Sequence, residues 1–480
     1  MSNNKNIWFW FTCAAVVFAL TLPILIQDAM FQDAVLYSCV SRNLSLGIGT
    51  FWFPQYSFLN IAGIPSFHEQ PPLFFGIQAM FFKIMGDTIY VERFQTFLTI
   101  LLNMFLIHKI WKLIFKNDEK QAQISWLPVF FWIIIPVCFW SYRGNMIENT
   151  MSVFDLAAVI LFFKGIENSN KQYLWMLGSG VLIFLASLTK GVPGLFPVVL
   201  PLIYWLGTRK ISLLKSLSYF AICFGVPILI YGLLITDPSI RESLSIYVFK
   251  RLLGRIDVMP TADYRLEILW RLFTEMIPVL LIIAIVWFVL KFRKQTINLL
   301  QNRQLVYTFL LLGLAGSVPL TLTMVQKGWY LVPSFPYFAI GFALIISPWV
   351  SIQISKINVK SKAFKRFKLI SLALLFGVLV FTAMQKGKIS RESDTLLDVY
   401  TIGKVVPRFS VISVPKTQYD EYDFVLQGFL VRYFNISIDP NPIHDYYLQL
   451  KDTKTSVPEG FQKTNLTLNK YELYQKHGIQ

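Results

Sequence analysis

The sequence predicts an all-α polytopic membrane protein that ends in a small α/β domain, and three observations carry that prediction. Apolar residues make up 55% of the 480 positions and charged residues only 15%, with a mean hydropathy of +0.53, far from the composition of soluble domains. Apolar stretches of roughly 18 residues or more recur along the first four-fifths of the chain, long enough to cross a bilayer. Lysine and arginine collect in the gaps between alternate stretches, the pattern that orients membrane helices. A backbone in hydrocarbon must satisfy its own hydrogen bonds, so runs of this length are helices.

The predicted spans lie at about 7–27, 90–114, 124–142, 149–166, 171–188, 192–207, 213–235, 266–291, 304–324, 329–350 and 366–385, about eleven in all. Residues 1–6, "MSNNKN", precede a run too long and too aromatic for the core of a signal peptide, so that run counts as the first span. The basic gaps are "KNDEK", "KGIENSNK", "TRKISLLK", "KFRKQ" to Arg303, and "KINVKSKAFKRFK". They face the cytoplasm by the positive-inside rule, which puts the N-terminus inside and residues 28–89 and the tail from 386 outside. The net charge of +17 therefore reports topology and not a nucleic-acid partner. Residues 71–86, "PPLFFGIQAMFFKIMG", are apolar enough for a span, but a full crossing there would move every later basic gap outside. They read as an interfacial or re-entrant helix. Cys13, Cys138 and Cys223 fall in apolar runs and Cys39 stands alone, so no disulfide or metal framework is visible.

From residue 389 the composition turns polar. "DTLLDVYTIGKVV" and "DFVLQGFLVRYF" read as helices and "FSVISV" and "YYLQLK" as strands. Residues 1–388 form the transmembrane domain, with 28–89 as its first outer loop, and 389–480 an extracytoplasmic α/β domain. A core this small is expected to dock on the outer loops.

The topology sends a scattered set of polar residues to one boundary: Asp33 and Tyr37, His68, Glu69 and Gln70, Glu148, Lys190, Arg255, Lys327 and Tyr330. Each has a plain structural reading. Asp33 and Glu148 suit the first turn of a helix, Lys190 and Arg255 can snorkel, Tyr330 suits an interfacial aromatic belt, and His68 a loop. Together they suit chemistry on a lipid phosphate, with a carboxylate to take a proton and cations with a tyrosine to hold the phosphate. No Walker or dinucleotide glycine motif points to a soluble nucleotide. A transporter or flippase for a lipid-linked anion is the alternative. It is disfavoured by the lack of an internal repeat, and no ionisable group is expected at a span centre.

Five stretches in order, "DAVLY", "HEQPPLFF", "NMIENTMSVF", "LTKGVPGLFP" and "QKGWYLVPSFP", resemble the motifs of the GT-C membrane glycosyltransferases. The similarity is to the branch of protein O-mannosyltransferases and the aminoarabinose transferase of lipid A, and it covers residues 1 to about 350. The resemblance implies a sugar carried on a polyprenyl phosphate and transferred with inversion, at the outer face of the cytoplasmic membrane, to a lipid, glycan or protein acceptor. By matching position, Asp33 is implied as the catalytic carboxylate with Tyr37 one helical turn on, and Lys190, Arg255, Lys327 and Tyr330 as the donor-phosphate site. His68, Glu69, Gln70 and Glu148 are implied as supporting polar groups. Some relatives use magnesium or manganese beside their carboxylates, for which Asp33 with Glu148 or Glu69 are the ligands on offer. The chain departs from the lipid A branch at Ala34, Leu36 and Gln70, where that branch carries an acid, an arginine and a lysine, so the resemblance leaves lipid A as acceptor and aminoarabinose as donor open, with His68 and Glu69 as the groups on offer in compensation.

Overall fold

The computed structural model describes residues 5–57, 66–168, 170–254, 260–294, 297–420, 423–453 and 455–477. In chain order its first helices are α1 (Asn6–Leu25), α2 (Gln32–Ser45), α3 (Leu73–Met85), α4 (Val91–Ile114), α5 (Glu119–Ala122), α6 (Trp126–Ile133), α7 (Pro136–Ser141), α8 (Ile147–Glu167) and α9 (Gln172–Lys190). Then follow α10 (Leu200–Thr208), α11 (Leu213–Leu234), α12 (Pro238–Ser245), α13 (Glu267–Phe292), α14 (Arg303–Ser317), α15 (Phe335–Ser355) and α16 (Lys362–Ala383). The last three are α17 (Ser393–Ile402), α18 (Lys416–Asp420) and α19 (Phe424–Phe434).

Among the described residues nine helical segments are long and apolar enough to cross a membrane, and each coincides with a predicted span. The other two predicted spans are broken by proline. Pro136 opens α7 and holds Ile135 extended (ψ 121°), which separates α6 from α7. Between α9 and α10, Pro193, Pro197 and Pro201 each lack an amide donor at four-residue intervals, and Val192–Val199 winds as a 3-10 helix. The stretch read as interfacial is α3, a short apolar helix.

The chain divides into two compact units, Met1–Leu25 with Glu69–Pro71 and Thr96–Met384, and Ile26–His68 with Pro72–Gln95 and Gln385–Gln480. In the first unit the polar gaps start helices as capping chemistry requires. Ser212 accepts from the Lys215 amide at 3.2 Å to open α11, and Ser361 from the Phe364 amide at 3.1 Å to open α16. Residue 165 is glycine where α8 meets α9: a Cβ there would lie 3.1 Å from Trp175 Cβ and 3.2 Å from the Gln172 carbonyl oxygen. The core behind them is aromatic, with Trp111, Trp132, Phe131 and Phe162 fully buried. Asp155 corrects the expectation that span interiors are free of ionisable groups. It is fully buried within α8, and among the described residues neither carboxylate oxygen has a hydrogen-bond partner.

The second unit joins residues 26–68 and 72–95 to the C-terminal segment. Its sheet contains β1 (Val411–Ser413), β2 (Ser437–Asp439), β3 (Tyr446–Leu450), β4 (Phe461–Lys463) and β5 (Tyr471–Lys476), in the order β2-β1-β3-β5-β4. β1 pairs in parallel with β2 and β3, while β5 pairs antiparallel with β3 and β4. β1 and β3 are the two predicted strands; β5 also alternates, with Tyr471 and Leu473 buried.

Two polar clusters pin this unit together. Asp28 accepts from Tyr433 Oη at 2.6 Å and from Tyr400 Oη, with Arg93 at 3.6 Å. In the other, Arg432 of α19 donates to Glu92 Oε2 at 3.0 Å and to Asp87 Oδ1 at 2.9 Å. Arg42 of α2 donates to the Arg432 carbonyl at 2.6 Å and to the Asn435 side chain. Burial, and then the nearby Arg432 charge, bring the Arg42 pKa down to about 10. Burial acts the same way on Arg432, but Glu92 and Asp87 outweigh it and raise the guanidinium above its ordinary value. Burial likewise pushes the Cys39 thiol up to about 12, so it is an inert packing group at neutral pH.

Removing one member of a buried ion pair costs about 3–5 kcal/mol. Arg432→Ala is expected to expose the C-terminal segment to protease at temperatures where the wild type resists. Unchanged cleavage would show that the cluster does not hold the segment.

Candidate functional site

Within the first unit a cavity of about 590 Å³ opens among non-α stretches of chain. Its walls come from the 3-10 helix Val192–Val199, the π-helical turn Ile246–Leu253, and the 3-10 segments Val318–Leu322 and Gly328–Ser334. Irregular backbone at membrane depth is tolerated where it lines a cavity. Most of the lining is apolar, including Phe196, Val199, Pro319 and Leu320, and the polar members are Glu69, Gln70, Lys190, Tyr247, Arg251, Thr323 and Tyr330.

Lys190 is the last residue of α9, where the helix dipole favours a cation. Its ammonium pairs with Glu148, in the first turn of α8, and lies 4.5 Å from the Tyr330 ring centroid. Glu148 is fully buried and Lys190 nearly so. Gly191 follows with φ +83°, and a Cβ on it would fall 1.7 Å from Tyr247 Oη. Only glycine ends α9 there and lets Tyr247 approach, its hydroxyl donating to the Lys190 carbonyl at 3.4 Å. This is the physical content of "LTKGVPG". On another wall the Arg251 guanidinium pairs with Glu69; their side chains are 34% and 35% exposed, so the pair is open to exchange.

The structure thus brings together Glu69, Gln70, Lys190 and Tyr330 on the cavity, with Glu148 directly behind Lys190. Lys327 instead turns toward Trp329, its ammonium 5.9 Å from a ring centroid. Arg255 lies outside the described residues. The sequence reading missed Arg251 and Tyr247, although Arg251 stands four positions before Arg255 in "KRLLGRID". Asp33, Tyr37 and His68 belong to the second unit. Asp33 sits in the first turn of α2. Tyr37 is buried with its ring edge-on to Phe74 at 5.9 Å. His68 is buried, hydrogen-bonded to Ser66 Oγ at 2.5 Å and edge-on to Phe53 at 5.3 Å.

Glu148 and Glu69 each carry a basic partner, and among the described residues no group of three or more His, Cys, Asp or Glu could hold a metal ion.

Residues 69–245 match the family model described as dolichyl-phosphate-mannose-protein mannosyltransferase. The fold is similar to that of ArnT from Cupriavidus metallidurans, both bound to undecaprenyl phosphate and in the apo state. Each comparison gives 13% identity, coverage of 97% of this chain and 97% of that chain, and a TM-score of 0.65. The oligosaccharyltransferase of Archaeoglobus fulgidus, in complex with Zn and sulfate, is similar at 13% identity over 92% of this chain and 68% of that chain, with a TM-score of 0.48. None of the curated proteins matches this chain by sequence. The chain has the GT-C fold that its motifs led us to expect.

Lys190→Met and Glu148→Gln are each expected to destabilise the protein by about 3–5 kcal/mol. Combined, they should recover about 1–3 kcal/mol of the summed loss, since partners in one pair couple. Additive thermal shifts would show that the two groups do not depend on each other.

Proposed function

We propose that the chain is an inverting membrane glycosyltransferase that moves a sugar from a polyprenyl phosphate to a lipid, glycan or protein acceptor at the outer face of the cytoplasmic membrane. The observation that carries this reading is the amphipathic cavity, which offers a largely apolar lining for a prenyl chain and, on its walls, Lys190, Arg251, Tyr247 and Tyr330 for its phosphate. The family-model match over residues 69–245 supports the reaction class. The shared fold with ArnT, itself bound to undecaprenyl phosphate, supports the lipid carrier.

The acceptor oxygen or nitrogen attacks the anomeric carbon from the face opposite the phosphate. The bond between that carbon and the phosphate oxygen breaks, and its electrons leave with the phosphate. Lys190 and Arg251 stabilise the charge that develops there. Arg251 takes up the phosphate by exchanging out of its pair with Glu69, and its planar fork suits two phosphate oxygens at once. Lys190 stays fixed by Glu148 and presents a point charge. Asp33 takes the proton from the acceptor and Tyr37 supports it one turn on, while Lys327 is a second-rank phosphate group. The N-terminus is cytoplasmic and the C-terminal segment lies outside in this reading.

The test is transfer from polyprenyl-phosphate sugars by purified protein in lipid nanodiscs, followed by mass spectrometry. Asp33→Asn should lower turnover by about 10²–10⁴, the usual yield of general base catalysis. Arg251→Gln should weaken donor use by roughly tenfold or more while the fold is kept, as befits a charge-assisted phosphate contact. Full transfer by Asp33→Asn would remove that residue from the mechanism, and lipid translocation without sugar transfer would overturn the enzyme reading.

A further inference from the structure

A second cavity, of about 440 Å³, lies along α4, α8 and α9 and is unconnected with the proposed chemistry. Lys109 and Lys112 lie three apart near the C-terminal end of α4, Lys116 follows in the turn just beyond it, and Lys164 joins them from the last turn of α8. Below the lysines the trench is wholly apolar, lined by Phe105, Leu106, Ala157, Leu161 and Leu182. From Lys112 down to Phe105 it extends about 10 Å along the α4 axis at 1.5 Å per residue. Phe105 and its neighbour Leu102 are 52% and 45% exposed, so the trench opens sideways into hydrocarbon.

The charge at its mouth is largely uncompensated. Lys116 pairs with Glu167 at 3.4 Å, but both side chains are solvent-accessible and such a pair is weak. The nearby acids are engaged elsewhere, Asp118 capping α5 through the Gln121 amide at 3.1 Å and Glu119 accepting from Gln123 at 3.1 Å. Lys109 lies 5.1 Å from the ring centroid of Phe105, which holds its stem along the apolar wall, and Lys164 lies 5.0 Å from that of Trp175 on α9. Glu148 is in the first turn of α8 and Lys164 in the last, so this trench sits at the opposite end of α8 from the donor cavity.

We propose that the trench is a binding site for an acidic glycerophospholipid of the bilayer, its phosphate held among Lys109, Lys112, Lys116 and Lys164 and one acyl chain laid against Phe105, Leu161 and Leu182. Snorkelling lysines alone explain the charge, but not an apolar furrow running directly beneath it. A basic pocket between membrane helices with such a floor is suited to a headgroup and chain together.

The test is lipid retention by the delipidated full-length protein, titrated with phosphatidylglycerol or with phosphatidylethanolamine and read by native mass spectrometry. Wild type should favour phosphatidylglycerol by roughly tenfold. Changing Lys109, Lys112, Lys116 and Lys164 together to Gln should abolish that preference. Changing Lys356, Lys360, Lys362 and Lys365 to Gln, an equal loss of charge away from the trench, should keep it, as should Arg251→Gln in the donor cavity. Ala157→Phe, which fills the trench and keeps all four lysines, should weaken retention as well. Equal loss of preference in both lysine sets would reduce the effect to net charge and overturn the site. Displacement by glycerol 3-phosphate at the concentration of the lipid would make it a phosphate site and not a lipid one.

Discussion

The rest of the molecule depends on a backbone immersed in hydrocarbon that must satisfy its own amides and carbonyls. That constraint makes α-helix the default and makes each departure informative, because the freed groups need protein or water around them. The departures here are concentrated. Pro193, Pro197 and Pro201 unwind the approach to α10, and the segments Ile246–Leu253, Val318–Leu322 and Gly328–Ser334 leave α geometry on other walls of one cavity. The space that holds Lys190 and Arg251 is thus built from the stretches that could not have packed as plain spanning helices. Composition makes the helices, and proline and glycine placement makes the cavity between them.

Charge obeys a parallel rule. Buried basic groups come with their own acids: Lys190 with Glu148 in the first unit, and Arg432 with Glu92 and Asp87 in the second. The reason is energetic, since an isolated ion out of water is far costlier than a hydrogen-bonded pair. Asp155 breaks the rule within α8. A carboxylate without a hydrogen-bond partner among the described residues is an expense that core packing alone does not demand. The second unit uses its pairs differently, because its small sheet and α19 bury little area by themselves. Arg42, Asp28 and Glu92 from the N-terminal half of the chain complete hydrogen bonds that Arg432, Tyr400 and Tyr433 would otherwise lack.

Much of this was legible in the sequence. Long apolar runs report their length directly, and nine of them are helices at the expected positions. The other two are interrupted, and hydropathy does not register Pro136 or the proline triplet that breaks the second. In the site, Lys190, Glu69 and Tyr330 were legible because each sits beside a glycine or proline signature that marks a special turn. Arg251 was not, since a π-helical turn has no compositional mark and Arg255 four positions on carries the same charge. Asp28 and Asp33 pose the same difficulty. They lie five residues apart after the same apolar run, yet Asp28 is bound to two tyrosine hydroxyls. Only its tertiary partners mark Asp28 as a carboxylate that holds the fold.

On the proposed reaction the two kinds of cation in the cavity have distinct uses. A sugar phosphodiester carries one negative charge, whereas the polyprenyl phosphate that departs carries about 1.5 to 2 at neutral pH. Cations therefore bind the leaving group more strongly than the donor, and that difference lowers the barrier. A lysine and an arginine without counter-ions would also hold the product too well and slow its release. Lys190 is already half-answered by Glu148, and Arg251 has Glu69 to return to once the phosphate leaves. Counter-ions built into the walls leave the site attractive to the more highly charged species while keeping an exit for it. A cavity with the same two cations and no carboxylates would favour binding over turnover.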